Sequence, residues 1–126
     1  MNPETKELLE KNGVNVEEAS GRFMNNLEIY EKFLVKFVGD KTYELLKENV
    51  HQGNLEEAFR NAHTLKGVAA NLQLEGLLKD LCPLVEVLRE LNDENVTELM
   101  EQLDRSYERL RRIIIQMEQE EGRSDR

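Results

Sequence analysis

Apolar residues recur at intervals of three and four along most of this chain, which is the period of amphipathic helices. Over residues 55–72, seven of them fall within a stripe about 140° wide when successive residues are placed 100° apart. The stripe predicts one continuous helix after an N-cap at Asn54. Its buried face would consist of Leu55, Ala58, Phe59, Ala62, Leu65, Ala69 and Leu72.

Three further long helices are predicted on the same grounds. One covers about residues 41–52 and ends before Gly53; the next follows residue 72 and bends at Pro83; the last begins near Val96. The apolar set of the first is Tyr43, Leu45, Leu46 and Val50. Short turns force neighbouring helices to run antiparallel. The predicted fold is therefore all-α, an antiparallel up-and-down four-helix bundle.

Short additional helices are predicted before this bundle by capping asparagines and by glycines. We expect a single domain, with amino-terminal helices over about 1–38 packing on a bundle over about 40–118 and a frayed, charged tail over 119–126. The residues that begin or end the short helices are Asn2 with Pro3, Gly13, Asn15, Asn25 with Asn26, and Gly39.

The net charge of −9, from 17 basic and 26 acidic residues, restricts the range of partners. Nucleic acid and anionic membranes attract basic surfaces, so neither is expected as a partner. No apolar run approaches the roughly 20 residues of a membrane span, and the acidic amino-terminal stretch does not resemble a signal peptide. We therefore expect a cytoplasmic protein whose one cysteine, Cys82, is a small buried side chain.

A histidine stands on the polar side of the 55–72 helix. His63 lies roughly 120° from the centre of the apolar stripe and Gly67 roughly 160° from it, so both are predicted to be exposed. A glycine in a helix interior costs about 1 kcal/mol relative to alanine and adds nothing to the core. We therefore expect an interaction outside the helix to account for Gly67.

The surroundings of His63 are basic although the protein is acidic. No Asp or Glu occurs over residues 58–74, and Lys66 follows His63 by one turn of helix. A neutral imidazole, whose ordinary pKa is about 6.5, is a nucleophile near pH 7. These residues predict a surface histidine that carries a phosphoryl group, with Lys66 as its stabilising cation and Gly67 keeping the approach clear for a partner protein.

The segment "AHTLKG" resembles the central motif of histidine-containing phosphotransfer (HPt) domains, with His63, Leu65, Lys66 and Gly67 at the matching positions. "GVNVEEASGRFMNNLEIYEKFLVKF" is similar to the amino-terminal region of that family, and "LEEAFRNAHTLKGVAANL" to its second bundle helix. The resemblance implies that His63 accepts a phosphoryl group from a receiver-domain aspartate and passes it to another. Partners would be response-regulator receiver domains and a hybrid sensor kinase. The receiver would hold Mg²⁺, and this chain would bind no cofactor or metal.

One residue departs from the family pattern. Members often have glycine ten residues after the histidine, where this chain has Gln73, so we expect the helix end or the following turn to differ. The remaining exposed residues near the histidine are predicted to contact the partner: Arg60, Thr64, Ala70 and Asn71.

Other functions also use a histidine on a helix. A di-iron bundle needs Glu-x-x-His on two helices, but only His51 has a glutamate, Glu48, three residues before it, so the ligand count is too small. A histidine-kinase dimerisation region would be followed by a Gly-rich nucleotide site; none follows here, and we expect no ATP-dependent enzyme. The alternative to a monomeric phosphocarrier is a non-catalytic receiver-binding adaptor or a structural helical bundle.

Overall fold

The computed structural model describes residues 1–124, and over that range the backbone forms seven α-helices. The all-helical prediction is confirmed. No helix within the described residues is both long and apolar enough to cross a membrane. The helices are α1 (Pro3–Lys11), α2 (Val16–Arg22), α3 (Leu27–Gly39), α4 (Thr42–His51), α5 (Leu55–Asn71), α6 (Glu75–Arg89) and α7 (Val96–Ser124).

Asparagines begin the first three helices, as predicted. Asn2, Asn15 and Asn26 each accept a hydrogen bond from the backbone N–H three residues later, over 2.8, 3.1 and 3.2 Å. Asn54 stands at the N-cap of α5, but its side chain makes no capping hydrogen bond. It donates instead to the side chain of Asn49 over 3.4 Å. Asn54 therefore joins the turn between α4 and α5 and does not cap α5 with its side chain.

Five of the seven helices within residues 1–124 end in the same turn, in which the residue after the C-cap has a left-handed backbone. Glycine occupies this position after α1 and α4, as Gly13 (φ +82°) and Gly53 (φ +76°). Met24, Gln73 and Leu91 occupy it after α2, α5 and α6, with φ of 54°, 59° and 54°. Each non-glycine residue costs about 1–2 kcal/mol in this conformation.

The end of α5 shows how the chain accommodates Gln73. The N–H of Gln73 donates to the carbonyl of Ala70 over 3.2 Å, and the N–H of Leu74 donates to the carbonyl of Ala69 over 2.9 Å. These two bonds are those of a Schellman motif. The left-handed turn therefore forms although glycine is absent.

Tyr30, from α3, stabilises the same helix end. Its hydroxyl is fully buried and donates to the carbonyl of Leu72 over 2.6 Å. Burial raises the pKa of this hydroxyl well above its usual range, so it stays protonated and able to donate. A carbonyl at the end of α5 is thus satisfied by a side chain from the amino-terminal part of the protein.

Helices α4 to α7 pack on one another in chain order, and α4 also contacts α7. Helices α1 and α3 contact α7, and α2 contacts both α1 and α3. The amino-terminal helices and the four long ones therefore share one hydrophobic core. Its largest fully buried side chains are Leu9, Tyr30, Leu34, Tyr43, Leu46, Leu74, Leu81, Leu84, Leu88, Leu103, Ile114 and Met117.

The turn between α1 and α2 lies across the turn between α5 and α6, an arrangement that we call the turn crossing. Val14 and Leu74 form an isolated antiparallel bridge there, and both are almost completely buried. The N–H of Asn15 donates to the carbonyl of Gln73 over 3.0 Å. The amino-terminal helices are thus attached directly to the end of α5.

Two glycines make the turn crossing possible. The N–H of Gly76 donates to the carbonyl of Gly13 over 2.9 Å. A Cβ on Gly13 would lie 2.5 Å from the Cα of Gly76, and a Cβ on Gly76 would lie 2.7 Å from the carbonyl oxygen of Asn12. Both clashes are with backbone atoms, so a larger residue at either position would force the two turns apart.

Several side chains that were predicted to be buried are not fully buried: Leu55, Phe59 and Val50 are half-buried, and Leu45 and Cys82 also lie off the buried faces of their helices. Leu45 is 47% exposed because it lies about 100° around α4 from the fully buried Leu46. Cys82 is half-buried because it lies about 100° around α6 from the buried Leu81. Helix α6 continues through Pro83 without a break.

The last helix extends beyond the predicted start of a frayed tail at residue 119. Helix α7 continues to Ser124, and residues 125 and 126 lie outside the described part of the chain. The amino group of Met1 forms ion pairs with Glu31 and, over 3.6 Å, with Glu121 near the end of α7. The hydrogen bond with Glu31, together with burial, raises the pKa of Glu121 to about 7. Contacts with the start of the chain therefore reach α7 as far as residue 121.

Candidate functional site

Helix α5 has a buried face and an exposed face, as predicted. Ala58, Ala62 and Ala69 are fully buried, and Leu65 is nearly so. Lys66 is half-buried at the border between the two faces. The other predicted site residues are all exposed: Arg60, His63, Thr64, Gly67, Ala70 and Asn71.

The imidazole of His63 is exposed at the surface of α5. Among the described side chains, none forms a hydrogen bond or an ion pair with it. Its ring packs beside the ring of Phe59, with the two centroids 5.7 Å apart and the planes inclined by 43°. The ring is therefore supported on one side by an apolar neighbour, and its nitrogens are free for chemistry.

Two cations flank His63 on α5, three residues to either side. Side chains at this spacing on a helix are neighbours, with Cβ atoms about 5–6 Å apart. The guanidinium of Arg60 is paired with the carboxylate of Glu57. Lys66 forms no ion pair with any described side chain, so its ammonium is available to an anion on His63.

Gly67 is one turn beyond His63 and faces open space. A Cβ built on it would meet no atom of the described residues within 4 Å outside the backbone of its own helix. This is the opposite of Gly13 and Gly76, where a Cβ would clash with backbone. Packing within the protein therefore does not require glycine at position 67.

An apolar groove with a volume of about 440 Å³ lies beside the exposed face of α5. Phe33 and Val68, which line it, are 45% and 40% exposed. Thr64 and Asn71, both predicted to contact a partner, line it as well. Sequence reasoning missed this groove, because residues of α3 and α5 line it together.

A third cation approaches the histidine from α6. The guanidinium carbon of Arg89 lies 5.0 Å from the centroid of the Phe59 ring, which is the ring beside His63. Arg89 also pairs with Glu86 over 3.5 Å. No local sequence pattern relates Arg89 to His63, because only the packing of α6 on α5 brings them together.

Comparison with known proteins gives a family for this chain. No curated protein and no solved structure matches it significantly. A sequence model of the Hpt domain matches residues 38–113, which is more than half of the chain and includes α4, α5 and α6. The protein therefore belongs to the Hpt domain family, whose members act in histidine phosphotransfer within phosphorelays and are phosphocarriers rather than catalysts with an ATP site.

Proposed function

We propose that this protein is the phosphocarrier of a multistep phosphorelay. His63 accepts a phosphoryl group from a receiver-domain aspartate and passes it to the aspartate of a second receiver. The observation that carries the proposal is the exposed imidazole on α5, with which no described side chain forms a hydrogen bond or an ion pair. Lys66 and the open surface at Gly67 are consistent with the same role.

The transfer requires one bond to form as another breaks. A lone pair on an imidazole nitrogen attacks the phosphorus of the aspartyl phosphate, and the P–O bond to the aspartate breaks as the N–P bond forms. The aspartate leaves as a carboxylate with the bonding electrons, and the imidazole loses the proton on its other nitrogen to water. The reverse sequence on a second receiver returns the phosphoryl group to an oxygen atom, so neither step needs ATP.

This protein and the receiver each supply positive charge to the phosphoryl group. Lys66 places one positive charge next to the phosphoryl group on His63. Mg²⁺ is expected in the acidic pocket of the receiver, and this chain binds no metal or cofactor of its own. The protein thus supplies the nucleophile and a cation, while the receiver supplies the metal and the activated phosphoryl group.

The receiver docks on the exposed face of α5, where Gly67 leaves room for its backbone. The apolar groove extends this surface towards α2 and α3, and docking would remove Phe33 and Val68 from water. The residues of α5 that surround the histidine in this interface are Arg60, Thr64, Ala70 and Asn71. The partners are response-regulator receiver domains and a hybrid sensor kinase, met by a monomer in the cytoplasm.

Helices α4 to α7 form an antiparallel up-and-down bundle in this proposal. The turns after α4, α5 and α6 are short, and each of these helices packs on the next. Such a bundle holds α5 between α4 and α6 and leaves one face of it open. The site is therefore built on a rigid element and not on a loop.

A purified receiver domain, phosphorylated with a small-molecule phosphodonor, tests the proposal. It should transfer to the wild-type protein a phosphate that is acid-labile and base-stable. His63→Gln should abolish the label, while His51→Gln, the matched control at the exposed end of α4, should keep it. Lys66→Ala should slow the transfer by about tenfold without unfolding the protein.

Two results would contradict the proposal. A full label on His63→Gln would assign the phosphate to another residue. A receiver that binds the wild-type protein tightly but never labels it would instead support the non-catalytic adaptor.

A further inference from the structure

We infer that Arg89 binds the phosphoryl group carried by His63, and that the ring of Phe59 positions it for this contact. The inference deepens the proposed function and rests on it. It adds a residue from a second helix to a site that the sequence places on α5 alone.

The ring of Phe59 lies between two groups, the imidazole of His63 on α5 and the guanidinium of Arg89 on α6. The Phe59 centroid lies 5.7 Å from that of the His63 ring and 5.0 Å from the guanidinium carbon of Arg89. The guanidinium is thus within about 11 Å of the imidazole, which is beyond the Debye length of about 8 Å at physiological ionic strength, so the interaction requires the two groups to come closer. A phosphoryl group on the imidazole shortens that gap, and rotation of the long Arg89 side chain closes the rest.

The only ion pair that Arg89 forms with a described side chain is a weak one, so its guanidinium can bind another anion. Its ion pair with Glu86 spans 3.5 Å between side chains that are 48% and 60% exposed, and such surface pairs contribute little. The contact with Phe59 is a cation–π interaction, which favours a planar guanidinium. Arg89 can therefore exchange the carboxylate for a phosphoryl group that it contacts through two N–H donors.

Arg60 is closer to His63 in sequence but is a weaker candidate. Its ion pair with Glu57 is as exposed as that of Arg89 with Glu86, so ion pairing does not distinguish the two arginines. Among the described residues, however, no aromatic ring holds the Arg60 guanidinium as Phe59 holds that of Arg89. Lys66 and Arg89 instead approach from α5 and α6, so the phosphoryl group would lie between cations on two different helices.

The test measures how the phosphoryl group distributes between the receiver and His63 at equilibrium, over a range of salt concentrations. Arg89→Gln should shift the distribution about fivefold towards the receiver at low salt and should flatten its salt dependence. Phe59→Leu should cause a smaller shift in the same direction, because it leaves the charge but removes the ring that positions it. Arg89→Lys should fall between the wild type and Arg89→Gln.

Arg111→Gln is the matched control, since Arg111 is also about half exposed and pairs with a glutamate three residues earlier, but lies on α7. It should leave the equilibrium unchanged. The ³¹P chemical shift of phosphorylated His63 should change in Arg89→Gln and not in Arg111→Gln. Equal equilibria for Arg89→Gln and wild type would overturn the inference, and so would an equal loss in both glutamine variants.

Failure of this inference is distinct from failure of the proposed function. A wild-type protein that takes no phosphate on His63 overturns both. A protein that is fully labelled on His63, with an equilibrium that is insensitive to Arg89, overturns only the role of Arg89.

Discussion

Replacing Gly67 with alanine should make the protein more stable and at the same time a poorer phosphocarrier. The gain in stability arises in the free protein and the loss of transfer arises in the complex with a receiver, so the two effects are independent and opposite. Stability depends on the helix in the free protein, whereas transfer depends on how closely a receiver approaches that helix.

Helix propensity alone sets the size of the stability gain. The added methyl group would meet nothing within 4 Å outside its own helix backbone, so it neither clashes nor packs. Alanine is more favourable than glycine by about 1 kcal/mol in a helix interior, and Gly67 lies well inside the 17-residue α5. We expect a gain of that size in urea denaturation and a rise in Tm of roughly 3–5 °C.

Single-turnover phosphotransfer from a labelled receiver measures the other effect. Gly67→Ala should slow transfer by about tenfold, because reactions between bound groups fall steeply when the reacting atoms are held apart. Gly67→Leu should slow it further. Gly21→Ala is the control, since Gly21 is also helical with open space around it but lies on α2.

Either half of the reasoning can fail separately. If Gly67→Ala is more stable and transfers phosphate at the wild-type rate, then glycine at position 67 is not needed for a receiver to approach His63. If the variant is less stable, the helix itself requires glycine, in disagreement with the open space around position 67.

Three further predictions concern the fold. Tyr30→Phe should lower the free energy of unfolding by about 1–2 kcal/mol in urea denaturation, because the carbonyl of Leu72 loses its buried donor; an unchanged midpoint would mean that water replaces the hydroxyl. Met24→Gly should raise that free energy by about 0.5–1 kcal/mol, since Met24 is 89% exposed with a left-handed backbone, whereas the control Met24→Ala keeps the strain and should give no gain. Glu121→Gln should reduce the pH dependence of stability between about pH 4.5 and pH 7. With the pKa of Glu121 raised to about 7, the folded state favours the protonated carboxyl, so the wild type loses stability as the pH rises through this window; urea midpoints that vary equally with pH in both proteins would contradict it.

Local sequence patterns were sufficient for the helices and for the exposed face of α5. Helical period and capping are properties of residues within a few positions of one another, so they placed His63, Lys66 and Gly67 on one surface. Gln73 is an exception, because glutamine in place of glycine predicted a different helix end, whereas the left-handed turn forms in the structure.

Features that depend on how helices meet were not predictable in this way. In the turn crossing, Gly13 and Gly76 contact each other through backbone atoms. The pattern of side chains along the sequence cannot predict such a contact. In the sequence, Gly13 predicted only the end of a helix. The apolar groove and the approach of Arg89 likewise depend on the rotation of α3 and α6 against α5, which local periodicity does not determine.

Similarity to the Hpt family begins at residue 38, but residues before it contact the end of α5. A fragment cut at the matched range would lose the donor to the carbonyl of Leu72 and would uncover Leu74, and so the helix that carries His63 would fray from its end. The rigidity of the carrier helix is thus supplied partly by residues that the family match does not include. In the proposed phosphorelay, mutations in that region would change how firmly His63 is presented, and hence the rate of transfer, without changing the α5 residues of the proposed receiver interface.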